Sequence, residues 1–136
     1  MHYDSANYVS LIQNFQMEQL LQYSQQLINQ VDTTFTRYVY DRINWKNRLV
    51  GLVGFRGVGK TTLILQHIKK NLDLKETLYV TAEDFYFAKN RLIDLANDFV
   101  KAGGKYLFID EIHKYPDWSK EIKLIYDYHQ KLNVVF

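Results

Sequence analysis

The stretch Gly54-Phe55-Arg56-Gly57-Val58-Gly59-Lys60-Thr61 determines how the rest of this sequence is interpreted. It fits the pattern G-x-x-x-x-G-K-[ST] and lies between an apolar run, residues 49–53, and an amphipathic run, residues 63–68. A strand, a glycine-rich loop and a helix in this order form the context in which the pattern indicates phosphate binding. We therefore predict a phosphate-binding loop, a Walker A motif, and nucleoside triphosphate binding is the first hypothesis.

The residue types of this loop match that chemistry. Glycines let the backbone turn without Cβ clashes, so that successive N–H groups converge on the β-phosphate of a nucleotide. Lys60 adds a positive charge there, the Thr61 hydroxyl is placed to ligate Mg²⁺, and Thr62 can add one more hydroxyl. The predicted ATP-binding residues are Gly54, Phe55, Arg56, Gly57, Val58, Gly59, Lys60, Thr61 and Thr62. The alternative is a glycine-rich turn that binds no ligand.

A second motif follows about 50 residues downstream. The run Tyr106-Leu107-Phe108-Ile109-Asp110-Glu111 has four apolar residues before two acids, which is typical of a buried strand that ends in carboxylates, the Walker B pattern. Because ligands lie beyond the carboxyl ends of strands in doubly wound sheets, we expect Asp110 to hold Mg²⁺ beside the loop. Glu111 is then the candidate base that orients and polarises the attacking water. The alternative is a pair of solvated acids at a strand end.

The two motifs together resemble the additional-strand branch of P-loop ATPases, which includes the AAA-type proteins. Residues 105–123 also resemble the signature stretch of a prokaryotic family of AAA-type ATP-binding proteins, in which a C-terminal domain of unknown function usually follows the ATPase domain. The resemblance extends over residues 45–136. It implies ATP and Mg²⁺ as cofactors and hydrolysis to ADP and phosphate, with Lys60 and Glu111 as catalytic residues and Thr61 and Asp110 as metal ligands.

The order of predicted elements defines the fold class. Strands at residues 49–53, 77–81, 106–110 and 133–136 alternate with helices at residues 60–72, 87–102 and 119–130. We expect Ser119 to cap the last helix and Gly103-Gly104 to end the one before it. Strands separated by helices of this length predict an α/β fold, a three-layer αβα arrangement with a parallel sheet and right-handed crossovers.

The resemblance also implies parts beyond the last residue. In proteins of that branch the fourth strand continues into a polar residue that senses the γ-phosphate, and a helical lid follows. This sequence ends at Phe136, within the fourth predicted strand. We therefore expect a P-loop core that is truncated at its C-terminal end. An arginine finger from a later segment, which can contribute a factor of about 10³–10⁵ in rate, is also missing, so we expect nucleotide binding with weak turnover.

The N-terminal part is predicted to be helical. Between residues 5 and 36, apolar side chains recur near a 3.6-residue period. We divide the chain into this helical segment, residues 1–45, and a P-loop ATPase core, residues 46–136. The apolar stripe either packs on the nucleotide domain or forms a small helical cap before it. The alternative is that it binds a partner, which could be a second copy of the chain. Partner binding gives an alternative function, a nucleotide-gated protein-interaction module with negligible turnover.

Three further side chains lie near the predicted site. Glu83 and Asp84 follow the second strand, and either could reach Mg²⁺ or a partner. They could equally begin the next helix, since acids favour helix N-termini. His113 lies two residues after Glu111, where it could respond to the γ-phosphate or be an ordinary loop histidine.

Composition limits the possible functions. Within 136 residues, 17 basic and 15 acidic residues give a formal charge of only +2, which is no signal for nucleic-acid binding. The sequence has no cysteine, which excludes disulfides and thiolate metal sites. The polar residues 1–5 do not resemble a signal peptide, and no apolar stretch is long enough to span a membrane. We expect a cytoplasmic protein whose first partner is ATP or ADP.

Overall fold

A computed structural model describes residues 5–52 and 59–136 as an α/β fold. Its four described strands are β1 (Leu49–Val50), β2 (Thr77–Thr81), β3 (Tyr106–Asp110) and β4 (Asn133–Val135). They form one parallel sheet in the order β1-β4-β3-β2, so β4 lies between β1 and β3. The predicted α/β class with a parallel sheet is confirmed.

The strands that matter most for the site have the predicted bounds. The runs in β2 and β3 are rich in apolar, aromatic and β-branched residues, which suit a buried parallel strand. The two strands pair in register from Thr77 with Tyr106 to Thr81 with Asp110. Their carboxyl ends are therefore level, and Asp110 is the last residue of its strand at that edge.

The first and fourth strands are shorter than predicted. β1 ends at Val50, but the ladder continues past it, because Phe136 N–H donates to Val50 O (2.9 Å) and Leu52 N–H to Phe136 O (2.6 Å). Residue 53, the predicted end of this strand, lies outside the described residues. β4 ends one residue before its predicted end.

The α-helices of the described residues are α1 (Ser5–Gln30), α2 (Lys60–Asn71), α3 (Leu92–Lys101) and α4 (Trp118–Tyr128). Two predicted starts are wrong. The helix expected from residue 87 begins only at Leu92, because Asp84 accepts the Tyr86 N–H (2.8 Å) and caps a separate 3-10 turn. Ser119 is not a cap, since α4 begins at Trp118 after Asp117, which has a positive φ of 56°.

The predicted glycine stop after α3 is confirmed. Gly103 has a φ of 92°, and its N–H donates to Val100 O at 3.0 Å. The Gly104 N–H reaches Phe99 O at 2.8 Å, which completes a Schellman motif. A Cβ at Gly104 would lie 2.4 Å from the Phe99 ring, so a side chain there would collide with the core.

The helices cover both faces of the sheet. On one face, α2 packs on strand residues of alternate parity; this cluster contains Leu52, Ile64, Leu65, Ile68, Tyr79, Phe108 and Val135. On the other face, α3 and α4 pack on the intervening strand residues; this cluster contains Leu78, Val80, Leu92, Leu95, Leu107, Ile109, Ile122, Ile125 and Val134. This division follows from the period of two in a strand, which sends successive side chains to opposite faces.

Helix α1 lies along β2, the last described strand on its side. The Ala82 N–H donates toward β3, so the alternate Tyr79 N–H faces the other way, where Ser24 Oγ accepts it at 2.9 Å. Leu20 belongs to the cluster under α3 and α4, and Ile28 to the cluster under α2. The second half of α1 therefore packs on the α/β core, one of the alternatives set out above, and covers a strand edge of the kind that can pair with another chain.

The first half of α1 is different. Its large apolar side chains Tyr8, Leu11 and Phe15 are 62%, 67% and 59% exposed. Binding of a partner by this half stays a prediction. Within residues 5–52 and 59–136, none of the helices combines the length and the apolar character needed to cross a membrane.

Candidate functional site

The candidate site begins where α2 begins. Gly54, Phe55, Arg56, Gly57 and Val58 lie outside the described residues, so their predicted contacts are not tested. Gly59 precedes α2 with φ 80° and ψ 33°, a left-handed conformation in which a side chain would be strained. A Cβ there would also lie 3.6 Å from the Arg37 guanidinium, which places that cation beside the end of the loop.

Asp110 joins the two sequence motifs. The Thr61 hydroxyl donates a hydrogen bond to Asp110 Oδ2, and Lys60 Nζ lies 3.7 Å from Oδ1. Asp110 itself is only 2% exposed. The first turn of α2 and the end of β3 therefore bring Lys60 and Thr61 next to Asp110, which lies about 50 positions later in the sequence. Thr62 lies on the same turn and is exposed.

Two further donors hold the Asp110 carboxylate. The Glu111 backbone N–H donates to Oδ1 at 3.0 Å, and the Tyr79 hydroxyl donates to Oδ2 at 2.7 Å. Burial is the main cause that raises the pKa of Tyr79, and the hydrogen bond to the negative Asp110 raises it further. The phenol therefore stays protonated and remains a donor at neutral pH.

The oxygens gathered here suit a magnesium ion. Mg²⁺ prefers carboxylate and hydroxyl oxygens, and it usually keeps several waters or phosphate oxygens in its shell. Thr61 and Asp110 supply such a pair, already in contact with each other. In the part of the chain that is described, no group of three or more His, Cys, Asp or Glu side chains could hold a metal ion by itself. The donor set therefore fits an ion that shares its shell with a phosphate group.

Glu111 lies just beyond β3 in an unusual conformation. Its φ is 55°, a left-handed value that is uncommon for residues other than glycine and that recurs at functional sites. Its side chain is 42% exposed, and Oε2 lies 3.2 Å from His113 Nε2. The structure thus pairs the candidate base with the histidine two residues away. Whether Glu111 acts as a base stays a prediction.

The two acids after β2 differ in their contacts. Asp84 caps the 3-10 turn Phe85–Ala88 through the Tyr86 N–H. It therefore begins a helical turn, which is one of the two predicted alternatives. Glu83 is exposed. Neither acid has a described contact with Lys60, Thr61 or Asp110.

A second polar cluster lies at the opposite end of the sheet. The His67 ring stacks on Trp45, with ring centroids 4.0 Å apart and planes 10° apart, and the Tyr40 hydroxyl lies 2.8 Å from Nδ1. Burial lowers the pKa of His67 to about 4, so the ring is neutral at pH 7. These side chains border a groove of about 820 Å³ together with Tyr106 and Asn133, the first residues of β3 and β4.

Sequence reasoning assigned no role to Tyr79, Ser24 or Arg37. Tyr79 could have been found from strand parity, because it lies on the same face of the sheet as Asp110 once β2 and β3 are paired in register. The sequence of neither strand specifies that pairing by itself. Arg37 belongs to a connector, and its approach to Gly59 depends on the path of that connector.

Comparison with known proteins adds the family. A family model described as an AAA domain matches residues 46–136. Neither the curated proteins nor the solved structures include a match. The family match covers about two thirds of the sequence, in which Lys60, Thr61 and Asp110 all lie. The chain therefore belongs to the AAA domain family.

Proposed function

We propose that this chain binds Mg·ATP between the start of α2 and the end of β3, and that the intact protein hydrolyses it to ADP and phosphate. The observation that carries the proposal is the hydrogen bond from Thr61 to Asp110, with Lys60 3.7 Å from the same carboxylate. A hydroxyl, an ammonium and a carboxylate at a helix N-terminus are the groups that phosphate and Mg²⁺ require.

The sheet order supports assignment to the additional-strand branch of P-loop ATPases. In such a sheet a further strand separates the strand before the phosphate loop from the strand that ends in the Walker B acids. β4 occupies this position between β1 and β3. The division of the chain at residue 45 remains part of the proposal.

The residues then have separate tasks. The N–H groups at the start of α2 and the Lys60 ammonium bind phosphate oxygens, and Thr61 and Asp110 hold the metal. Bound Mg²⁺ would neutralise phosphate charge during transfer to water. Arg37, which lies beside Gly59, adds a second cation to this end of the site.

Glu111 is the proposed base. Its carboxylate orients a water molecule and accepts a proton from it as the water attacks the γ-phosphate. His113 approaches Oε2, which leaves Oε1 for the water. We also propose a cytoplasmic location, because ATP is abundant there.

Calorimetry on the 136-residue chain tests the proposal directly, with phosphate release followed in the same sample. Lys60→Ala should weaken Mg·ATP binding by about 10–100-fold, because a hydrogen bond to a charged group contributes about 1.5–3 kcal/mol. Lys70→Ala is the matched control, since the exposed Lys70 lies on the last turn of the same helix and donates a hydrogen bond to the Thr36 hydroxyl, away from the site. Equal ATP affinity in both variants would refute the assignment.

A further inference from the structure

The Asp110 carboxylate has two kinds of partner. Thr61 and Lys60 belong to the first turn of α2 and are proposed to bind the metal and the phosphates. Tyr79 and the Glu111 N–H belong to the sheet and its immediate continuation, and the proposed reaction gives them no task at Asp110. A carboxylate has about four lone-pair positions, two on each oxygen, so the two groups of donors can be held at once.

The two sheet donors fix the plane of the carboxylate. The Glu111 N–H holds Oδ1 at 3.0 Å, and the Tyr79 hydroxyl holds Oδ2 at 2.7 Å. If Thr61 and Lys60 turn to a ligand, these two contacts remain and keep Asp110 in its orientation. Groups that hydrogen-bond a metal ligand from behind typically change metal affinity or activity by about 10–100-fold when they are removed.

Tyr79 is itself held firmly. The residue is 5% exposed and packs in the cluster under α2, and its backbone N–H donates to the buried Ser24 of α1. The hydroxyl therefore reaches Asp110 from a side chain whose backbone and ring are both anchored. Such a supporting contact is rigid enough to act on the geometry of its neighbour.

We propose that Tyr79 is a positioning residue for the metal site, and that its hydroxyl holds Oδ2 of Asp110 in the orientation that binds Mg²⁺. The inference rests on the proposed function, because it assumes that Asp110 is the metal ligand.

The experiment compares ATP affinity in excess EDTA with ATP affinity in excess Mg²⁺, both measured by calorimetry on the full 136-residue chain. The ratio of the affinity in Mg²⁺ to the affinity in EDTA isolates the metal-dependent part of ATP binding. Tyr79→Phe should lower this ratio by about 10-fold or more and leave the affinity in EDTA unchanged. A residue that only supported the fold would lower the melting temperature and leave the ratio as it is, and that result would overturn the proposal.

Tyr40→Phe is the matched control. It also removes a hydrogen-bonded hydroxyl, but that hydroxyl contacts His67 at the other end of the sheet. Its ratio should equal that of the unchanged chain. A decrease as large as that of Tyr79→Phe would overturn the proposal, because the effect would not then depend on contact with Asp110.

A double-mutant cycle tests whether Tyr79 acts through Asp110. In an Asp110→Asn background, Tyr79→Phe should produce no further decrease in the ratio, whereas additive decreases would contradict the mechanism. Should Tyr79→Phe fail to fold, the ring signals of the tyrosine-labelled unchanged chain give the same test. The NMR signals of the Tyr79 ring should change position when Mg²⁺ is added to the ADP complex, and unchanged signals would overturn the proposal.

The two proposals fail in different ways. If the unchanged chain binds ATP neither with Mg²⁺ nor without it, the proposed function is wrong. If it binds Mg·ATP, and Tyr79→Phe keeps the ratio of the unchanged chain, only the role of Tyr79 is wrong.

Discussion

The two ends of α2 each lie beside a buried polar side chain, but the two side chains have different surroundings. At the first turn, Asp110 contacts Thr61 and Lys60. Toward the last turn, His67 contacts Tyr40 and Trp45. One centre is a carboxylate beside a cation and a helix N-terminus, and the other is a neutral ring in an aromatic stack.

The difference shows which buried polar groups are prepared for a ligand. Lys60 and Thr61 can turn from Asp110 to a phosphate or a metal without leaving the Asp110 carboxylate unpaired, because Tyr79 and the Glu111 N–H still donate to it. The described contacts of His67 include Tyr40, Asn71 and Trp45, which carry no charge. The negative end of α2 would favour a protonated ring by about 0.3–1 kcal/mol, yet burial is stronger and lowers the pKa to about 4. We infer that the first cluster serves ligand binding and the second serves stability.

The largest expected effect lies at the carboxyl end of the sheet. Glu111→Gln should reduce phosphate release by about 10²–10⁴-fold, because an amide cannot accept the proton of the attacking water. ATP affinity should remain close to that of the unchanged chain. Calorimetry and a phosphate-release assay on one sample separate the two effects.

Glu83→Gln is the control for Glu111→Gln. Glu83 is an exposed acid just beyond β2, at the same edge of the sheet. The Glu83→Gln variant should release phosphate at the rate of the unchanged chain. Equal turnover in Glu111→Gln and the unchanged chain would exclude Glu111 as the base.

The next effect concerns Asp110. Asp110→Asn should weaken ATP binding in Mg²⁺ by about 10–100-fold, since an amide oxygen carries no charge for the metal, and it should change binding in EDTA much less. Asp84→Asn provides the comparison, because Asp84 caps a turn at the end of the neighbouring strand. If both variants lost the same affinity in Mg²⁺, the metal would not depend on Asp110.

Much of this arrangement could be predicted from sequence. The runs 77–81 and 106–110 predict β2 and β3 to the residue, because the first is a continuous apolar or β-branched run and the second is four apolar residues that end in an acid. The position of Asp110 at the end of a strand predicted that it would emerge beside the phosphate-binding loop, and the structure brings Thr61, Lys60 and Asp110 together. Those signals are local to one strand or one loop.

The parts that sequence did not predict depend on contacts between elements. Tyr79 reaches Asp110 only because β2 pairs with β3 in one particular register. The start of α3 was wrong because Asp84 caps a separate turn, a choice that an acid near a helix start does not reveal. The stripe in α1 predicted a helix but not which half is buried, since that depends on where the edge of the sheet ends.

At the amino end of the sheet, where His67 lies, we expect a substitution to change stability without changing ATP binding. His67→Phe keeps a ring against Trp45 but removes the nitrogen that the Tyr40 hydroxyl contacts. The free energy of unfolding should fall by about 0.5–1.5 kcal/mol, the contribution of a typical hydrogen bond. Urea unfolding measures it, and Mg·ATP affinity should be unchanged. Loss of affinity in the folded variant would contradict the division between the two clusters.

The smallest effect is the pH dependence of that stability. The His67 pKa is about 4 in the folded chain and 6.5 in the unfolded reference, so the unfolded chain binds more protons between these values. The stabilisation by neutral His67 is therefore complete above about pH 6.5 and is lost progressively as pH falls toward 4. His67→Phe lacks this titration, so its stability deficit relative to the unchanged chain should shrink between pH 7.5 and pH 6. Urea unfolding at both pH values tests this, and a constant deficit would show that burial does not keep His67 neutral.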